Sequence, residues 1–90
     1  MAEREHHITE TDGQRRFDAF LRDNGITLAV AGEALGVSEP TVHGWRKGEK
    51  RPVAFQRDKI EAWTGIPSPS WRTPDEANEI AAVQRFEAVA

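Results

Sequence analysis

The chain has no cysteine among its 90 residues. Neither disulfides nor a cysteine-based zinc site can therefore supplement its core, and no cysteine nucleophile is available. No apolar stretch approaches the roughly 20 residues needed to span a bilayer, and the opening MAEREHHITE is too charged for a signal peptide. A glycine-rich phosphate loop and a His-Glu-x-x-His pair are missing too. The adjacent His6 and His7 sit in a polar tail that offers a metal no fixed geometry. These absences leave no enzyme signature and call for neither a metal nor a cofactor. With no internal repeat, the length suits one small domain with a modest core, which helix packing or association with a second copy must supplement. The expectation is a soluble cytoplasmic protein.

What is present is unevenly distributed charge. The net charge of -3 argues against a nucleic-acid partner, because lysine and arginine supply most nonspecific affinity for phosphate. Its layout reverses that argument. Residues 41–59 hold Arg46, Lys47, Lys50, Arg51, Arg57 and Lys59 against Glu49 and Asp58, a local net of +4, while residues 1–40 carry -4 and residues 60–90 carry -3. Such a run is often only a solvated face; beside a DNA-reading motif it becomes an electrostatic footprint.

The apolar spacing predicts an all-α chain of five helices. Residues 1–10 are polar and expected to form a flexible tail. Thr11-Asp12-Gly13-Gln14 fits a capping box, and Phe17, Phe20 and Leu21 then give a buried stripe to a helix from Asp12 to about Asn24, ended by Gly25. Thr27 caps a second helix, with Ala31, Gly32 and Leu35 on its inner face and Gly36 past its end. Ser38 caps a third, which tolerates Pro40 in its first turn and turns Val42 and Trp45 inward. A loop, Gly48 to Pro52, leads to a fourth helix whose buried face is marked by Val53, Ile60 and Trp63 and which stops before Gly65. Pro67 to Ser70 reads as a linker, after which Trp71 folds back onto the core. Thr73-Pro74-Asp75-Glu76 starts a fifth helix, running toward Val89. Its apolar residues are spread too widely for one narrow stripe, which suits an arm shared between two subunits. The organisation is therefore a tail (1–10), a helix-turn-helix domain (11–72) and a C-terminal helix (73–90), a possible dimerisation arm.

From about residue 15 to 71 the chain resembles the Cro and cI phage-repressor family of helix-turn-helix proteins. The residues that carry the likeness are Thr27, Gly32, Leu35-Gly36-Val37-Ser38, Thr41-Val42, Trp45, Gly48 and Pro52, then Thr64-Gly65-Ile66-Pro67. The resemblance implies a five-helix bundle with a central helix-turn-helix that binds double-stranded DNA. Two positions depart from it. Leu28 stands where the family often has a phosphate-binding glutamine, and Arg46 where an acidic residue commonly follows the tryptophan.

Position in that motif assigns Ser38, Glu39, Pro40, His43 and Gly44 to base reading in the major groove. Glu39 can accept from a cytosine amino group, and Pro40 and Gly44 offer apolar contact or close approach. Thr41, Arg46, Lys47, Lys50 and Arg51 are assigned to the phosphate backbone, with Arg57, Lys59, Arg15 and Arg16 as weaker candidates. Trp45 and Trp63 read as core. Phe55, off the buried face of its helix, joins Ile80, Val83, Phe86 and Val89 as a dimer or partner interface. The function expected is a small transcriptional repressor, dimeric on a two-fold-related operator and associated with the nucleoid of a bacterial cell. No separate ligand-sensing domain is expected in 90 residues, and control is expected through concentration or a partner. Two alternatives stay open: an antitoxin whose C-terminal region binds a toxin, and a protein-interaction domain that has lost DNA binding.

Overall fold

A computed structural model describes residues 11–89, with side-chain surroundings through Phe86. The expectations for the N-terminal tail, for His6 and His7 and for the Val89 side chain lie outside the described residues. The architecture is an all-α bundle: α1 (Asp12–Asp23), α2 (Leu28–Leu35), α3 (Glu39–Lys47), α4 (Ala54–Thr64), a 3-10 turn (Ser68–Trp71) and α5 (Pro74–Val89).

Most boundaries follow from short-range hydrogen bonding. The Thr11, Thr27 and Ser38 hydroxyls each accept an otherwise orphaned N–H at the start of α1, α2 and α3. Gly36 adopts φ 72°, a left-handed conformation that reverses the chain after α2 with little strain. The turn that follows is tight. Val37 N–H donates to the Gly32 carbonyl at 2.9 Å, and a Cβ on Gly32 would lie 2.6 Å from the Val37 oxygen. Only a glycine lets the end of the turn lie this close to α2.

The core draws on every element up to the 3-10 turn: Phe17 and Leu21 of α1, Ala31 and Leu35 of α2, Val42 and Trp45 of α3, Ile60 of α4, then Ile66 and Trp71. Phe17 is the hub, with its ring edge-on to Trp45 at 6.2 Å between centroids and tilted against Trp71 at 5.8 Å. Trp71 folds back as its position suggests and is fully buried. Its indole lies where a side chain on Gly13 would stand, within 2.7 Å of that missing Cβ. A buried side chain of this size stabilises a small domain by about 1.5–3 kcal/mol or more.

Three local expectations are corrected. Val53 is 63% exposed, because it is the extended cap residue that precedes the first helical turn of α4; the neighbouring Pro52 is buried in its place. Pro67 to Ser70 is no open linker, since the chain winds into a 3-10 turn with Ser70 N–H bonded to the Pro67 carbonyl at 3.0 Å. Gln14, finally, does not reach back to its own cap. Its carboxamide donates to the Arg46 carbonyl at the end of α3. Trp63 sits at the margin of the core, half-buried and edge-on to Phe20 at 5.6 Å.

α5 is attached differently. Thr73 and Glu76 form a complete capping box, with Glu76 N–H to Thr73 Oγ1 at 3.2 Å and Thr73 N–H to Glu76 Oε1 at 2.9 Å. No residue from Pro74 to Phe86 is fully buried.

Candidate nucleic-acid interface

The inner face of α3 is fixed by Val42 and Trp45, both in the core. Helical geometry then directs Glu39, His43 and Lys47, each four residues from the next, to the opposite side. All three are exposed, as are Ser38 and Pro40. The start of this surface is ordered by its own cap. Ser38 Oγ accepts Thr41 N–H at 3.3 Å and lies 2.9 Å from Thr41 Oγ1, so the Thr41 hydroxyl is engaged with the cap.

Gly44 is not part of the exposed surface. It is buried, and its position is covered by the aliphatic stem of Lys50, whose Cδ would lie 3.0 Å from a Cβ on Gly44. The Gly44 carbonyl accepts from Gly48 N–H, Glu49 N–H (2.9 Å) and Lys50 N–H (3.2 Å), folding the loop after α3 back over the helix. The group presented beside His43 and Lys47 is therefore Lys50.

Arg46 and Arg51 are also placed differently from the phosphate-binding expectation. Arg46 Nε donates to Asp18 Oδ1 of α1 at 2.8 Å, and its side chain is only 25% exposed. Asp18 accepts from Arg22 as well. Burial pushes the Asp18 carboxyl up, but the hydrogen bonds and charges of Arg22 and Arg46 outweigh it and hold the group below the ordinary carboxylate range. Arg51 meets Glu76 in a two-pronged pair, Nη1 to Oε1 at 2.5 Å and Nη2 to Oε2 at 3.0 Å. With Thr73 N–H adding to the arginine's hydrogen bonds, the Glu76 carboxyl is lowered to about 2. Two of the six cations of residues 41–59 are thus matched by carboxylates of α1 and α5.

The weaker basic candidates are tied down in part. Arg57 is half-buried and reaches the Pro52 carbonyl at 3.4 Å. Lys59 Nζ lies 5.4 Å from the centre of the Phe55 ring, a cation–π contact. Arg16 is exposed and pairs with Asp12 at 2.8 Å, and Arg15 is 4.0 Å from the same carboxylate. Exposed pairs of this kind are worth little and are easily exchanged for another anion.

The structure therefore brings together Ser38, Glu39, Pro40, His43, Lys47 and Lys50, and it separates Gly44, Arg46 and Arg51 from them by burial or pairing. Of the interface candidates, Phe55, Val83 and Phe86 are exposed and Ile80 is half-buried. Sequence reasoning missed Gln14, Asp18 and Glu76 as fasteners. A Thr-x-x-Glu signal marked Glu76 only as a cap, and no local signal links Asp18 to Arg46. Among the described residues no group of three or more histidine, aspartate or glutamate side chains could hold a metal ion. No described helix is long and apolar enough to cross a membrane. Comparison with models of known families, with curated proteins and with solved structures gives no match.

Proposed function

We propose that the chain binds double-stranded DNA through the exposed face of α3 and acts as a small transcriptional repressor, dimeric on a two-fold-related operator in the bacterial nucleoid. The observation that carries this reading is the Gly32 to Ser38 turn: two short helices locked by a glycine-only contact, the second with its apolar face buried and a polar, basic face free for a groove. The likeness to the Cro and cI family supports it. Glu39 and His43 are the base-reading groups of this proposal, and Lys47 and Lys50 its phosphate contacts.

Selection of bound sites from random duplex DNA, followed by salt titration of the best site, tests the reading. A defined site logo is expected, with affinity falling as salt rises. Equal, weak retention of every sequence, or none, would remove the proposal and leave a protein-interaction role.

The exposed Val83 and Phe86 favour a protein partner on α5, which is a second copy in a repressor and a toxin in an antitoxin. Sedimentation of the pure protein separates these. A dimer supports the first, and a monomer that forms a defined complex with a neutralised toxin supports the second.

A further inference from the structure

The Arg51–Glu76 pair joins two parts of the molecule with otherwise little in common. Arg51 lies in the loop after α3, four residues beyond the exposed Lys47 and next to the exposed Lys50. Glu76 lies in the first turn of α5, the one described helix without a buried residue through Phe86. An open cleft of about 320 Å³, lined by Arg57, Arg72, Glu76, Glu79 and Ile80, takes the place of a packed interface beside that pair. What fastens α5 is thus concentrated at its first turn: both oxygens of Glu76 grip the Arg51 fork, and Arg51 Nη1 also approaches the Trp71 carbonyl at 3.4 Å.

A guanidinium fork binds a phosphate with the same two-pronged geometry as a carboxylate. Arg51 cannot satisfy both at once. We infer that α5 is a gate on the DNA face: Glu76 occupies the fork that would otherwise take a backbone phosphate, so that DNA binding and undocking of α5 promote each other. This rests on the DNA-binding reading above. Linkage makes the coupling reciprocal. A partner that draws α5 away frees Arg51 for phosphate and strengthens DNA binding, and DNA that captures Arg51 frees α5 for the partner. Arg46 and Asp18 do not form a second gate, because α1 is built into the core through Phe17 and Leu21 and cannot withdraw without unfolding.

The test uses the full chain and its E76Q variant. Glutamine still accepts the Thr73 N–H in a capping box, so α5 can start normally, but it has lost the charge that holds Arg51. With Arg51 released, E76Q should bind DNA several-fold more tightly than the wild type at low salt, because no docked carboxylate has to be displaced. In R51Q/E76Q that gain should vanish. Independently, saturating the wild type with DNA should speed amide hydrogen exchange in the first turns of α5. E76Q binding with the wild-type affinity, together with unchanged exchange on adding DNA, overturns the gate and leaves the DNA-binding reading standing. If neither wild type nor E76Q binds DNA at low salt, the reading itself fails and the gate with it. R51K is the second variant: a lysine keeps the charge but cannot form the fork, so α5 exchange should rise without DNA. Wild-type exchange in R51K would show that the pair does not hold α5, which also overturns the gate.

Discussion

The helix-turn-helix and the C-terminal helix are held by opposite means. The unit from α1 to Trp71 is secured by buried apolar side chains and by backbone contacts that only glycine permits, whereas among the described residues α5 is secured by a capping box and one ion pair at its entrance. The first kind of attachment fails when shape is altered and, apart from the Asp18–Arg46 pair, is nearly indifferent to protonation. The second is nearly indifferent to shape along its length and depends on charge. A chain divided in this way can move one part without endangering the other.

The largest contrast should come from two aromatic truncations. Trp71→Ala removes a fully buried indole packed on Phe17 and Gly13, and losses of this kind cost about 3–5 kcal/mol. The thermal midpoint of circular dichroism should fall by at least about 12 °C. Phe86→Ala, at a position 78% exposed, should change stability by less than about 0.5 kcal/mol. Comparable losses in both would mean that α5 is packed as firmly as the core.

Gly32→Ala comes next. Its methyl would meet a backbone oxygen at 2.6 Å, which cannot swing aside as a side chain can, so a loss of about 1–3 kcal/mol is expected in urea unfolding. An unchanged midpoint would mean that the turn can open without cost.

Acid should distinguish the two regions by charge. The Glu76 carboxyl is lowered from 4.5 to about 2, chiefly by the Arg51 hydrogen bond and then by Thr73 N–H. A group more acidic in the folded chain stabilises docking fully above its ordinary value, and that contribution is lost as pH falls from about 4.5 through about 2. Hydrogen exchange in the first turns of α5 should therefore accelerate over this window, beyond the change in chemical exchange rate, and the acceleration should be absent in E76Q. A wild-type profile in E76Q would place the restraint on α5 elsewhere.

The smallest effects concern the exposed lysines. Lys47→Ala and Lys50→Ala should each flatten the salt slope of DNA binding by about 0.9 while leaving sequence preference intact. Arg46→Ala should instead act mainly through stability, since its guanidinium is committed to Asp18. If Arg46→Ala flattens the slope as much as either lysine change, Asp18 does not keep that side chain from DNA.

The division between local and long-range bonding also explains what could be read from sequence. The caps at Thr11, Thr27, Ser38 and Thr73 and the reversal at Gly36 are decided within four residues, so composition and spacing reveal them. The burial of Trp71 was legible because a tryptophan after a short Pro-Ser segment has much to gain from the core. Arg46 and Arg51 looked like free cations because their carboxylates lie 28 and 25 residues away, with no periodicity linking them. Gly44 looked exposed because no pattern announces that Lys50 will fold over it. Val53 was assigned to the helix it merely introduces. The residue types of the candidate site were therefore visible, but which of them remain available to a ligand was set by the tertiary fold.

Arg46 is gripped twice by α1, at its carbonyl by Gln14 and at its guanidinium by Asp18. The last turn of α3 consequently has its orientation settled before any ligand arrives. For the proposed DNA reader this means little rotational freedom is forfeited on docking, which favours affinity from a small contact area. It also means that α3 has little capacity to tilt and accommodate an imperfect sequence. Discrimination would then come from intolerance of misfit, as in a rigid key, and loosening the α1 clamp with Gln14→Ala would broaden the range of accepted sites before it weakened the best one.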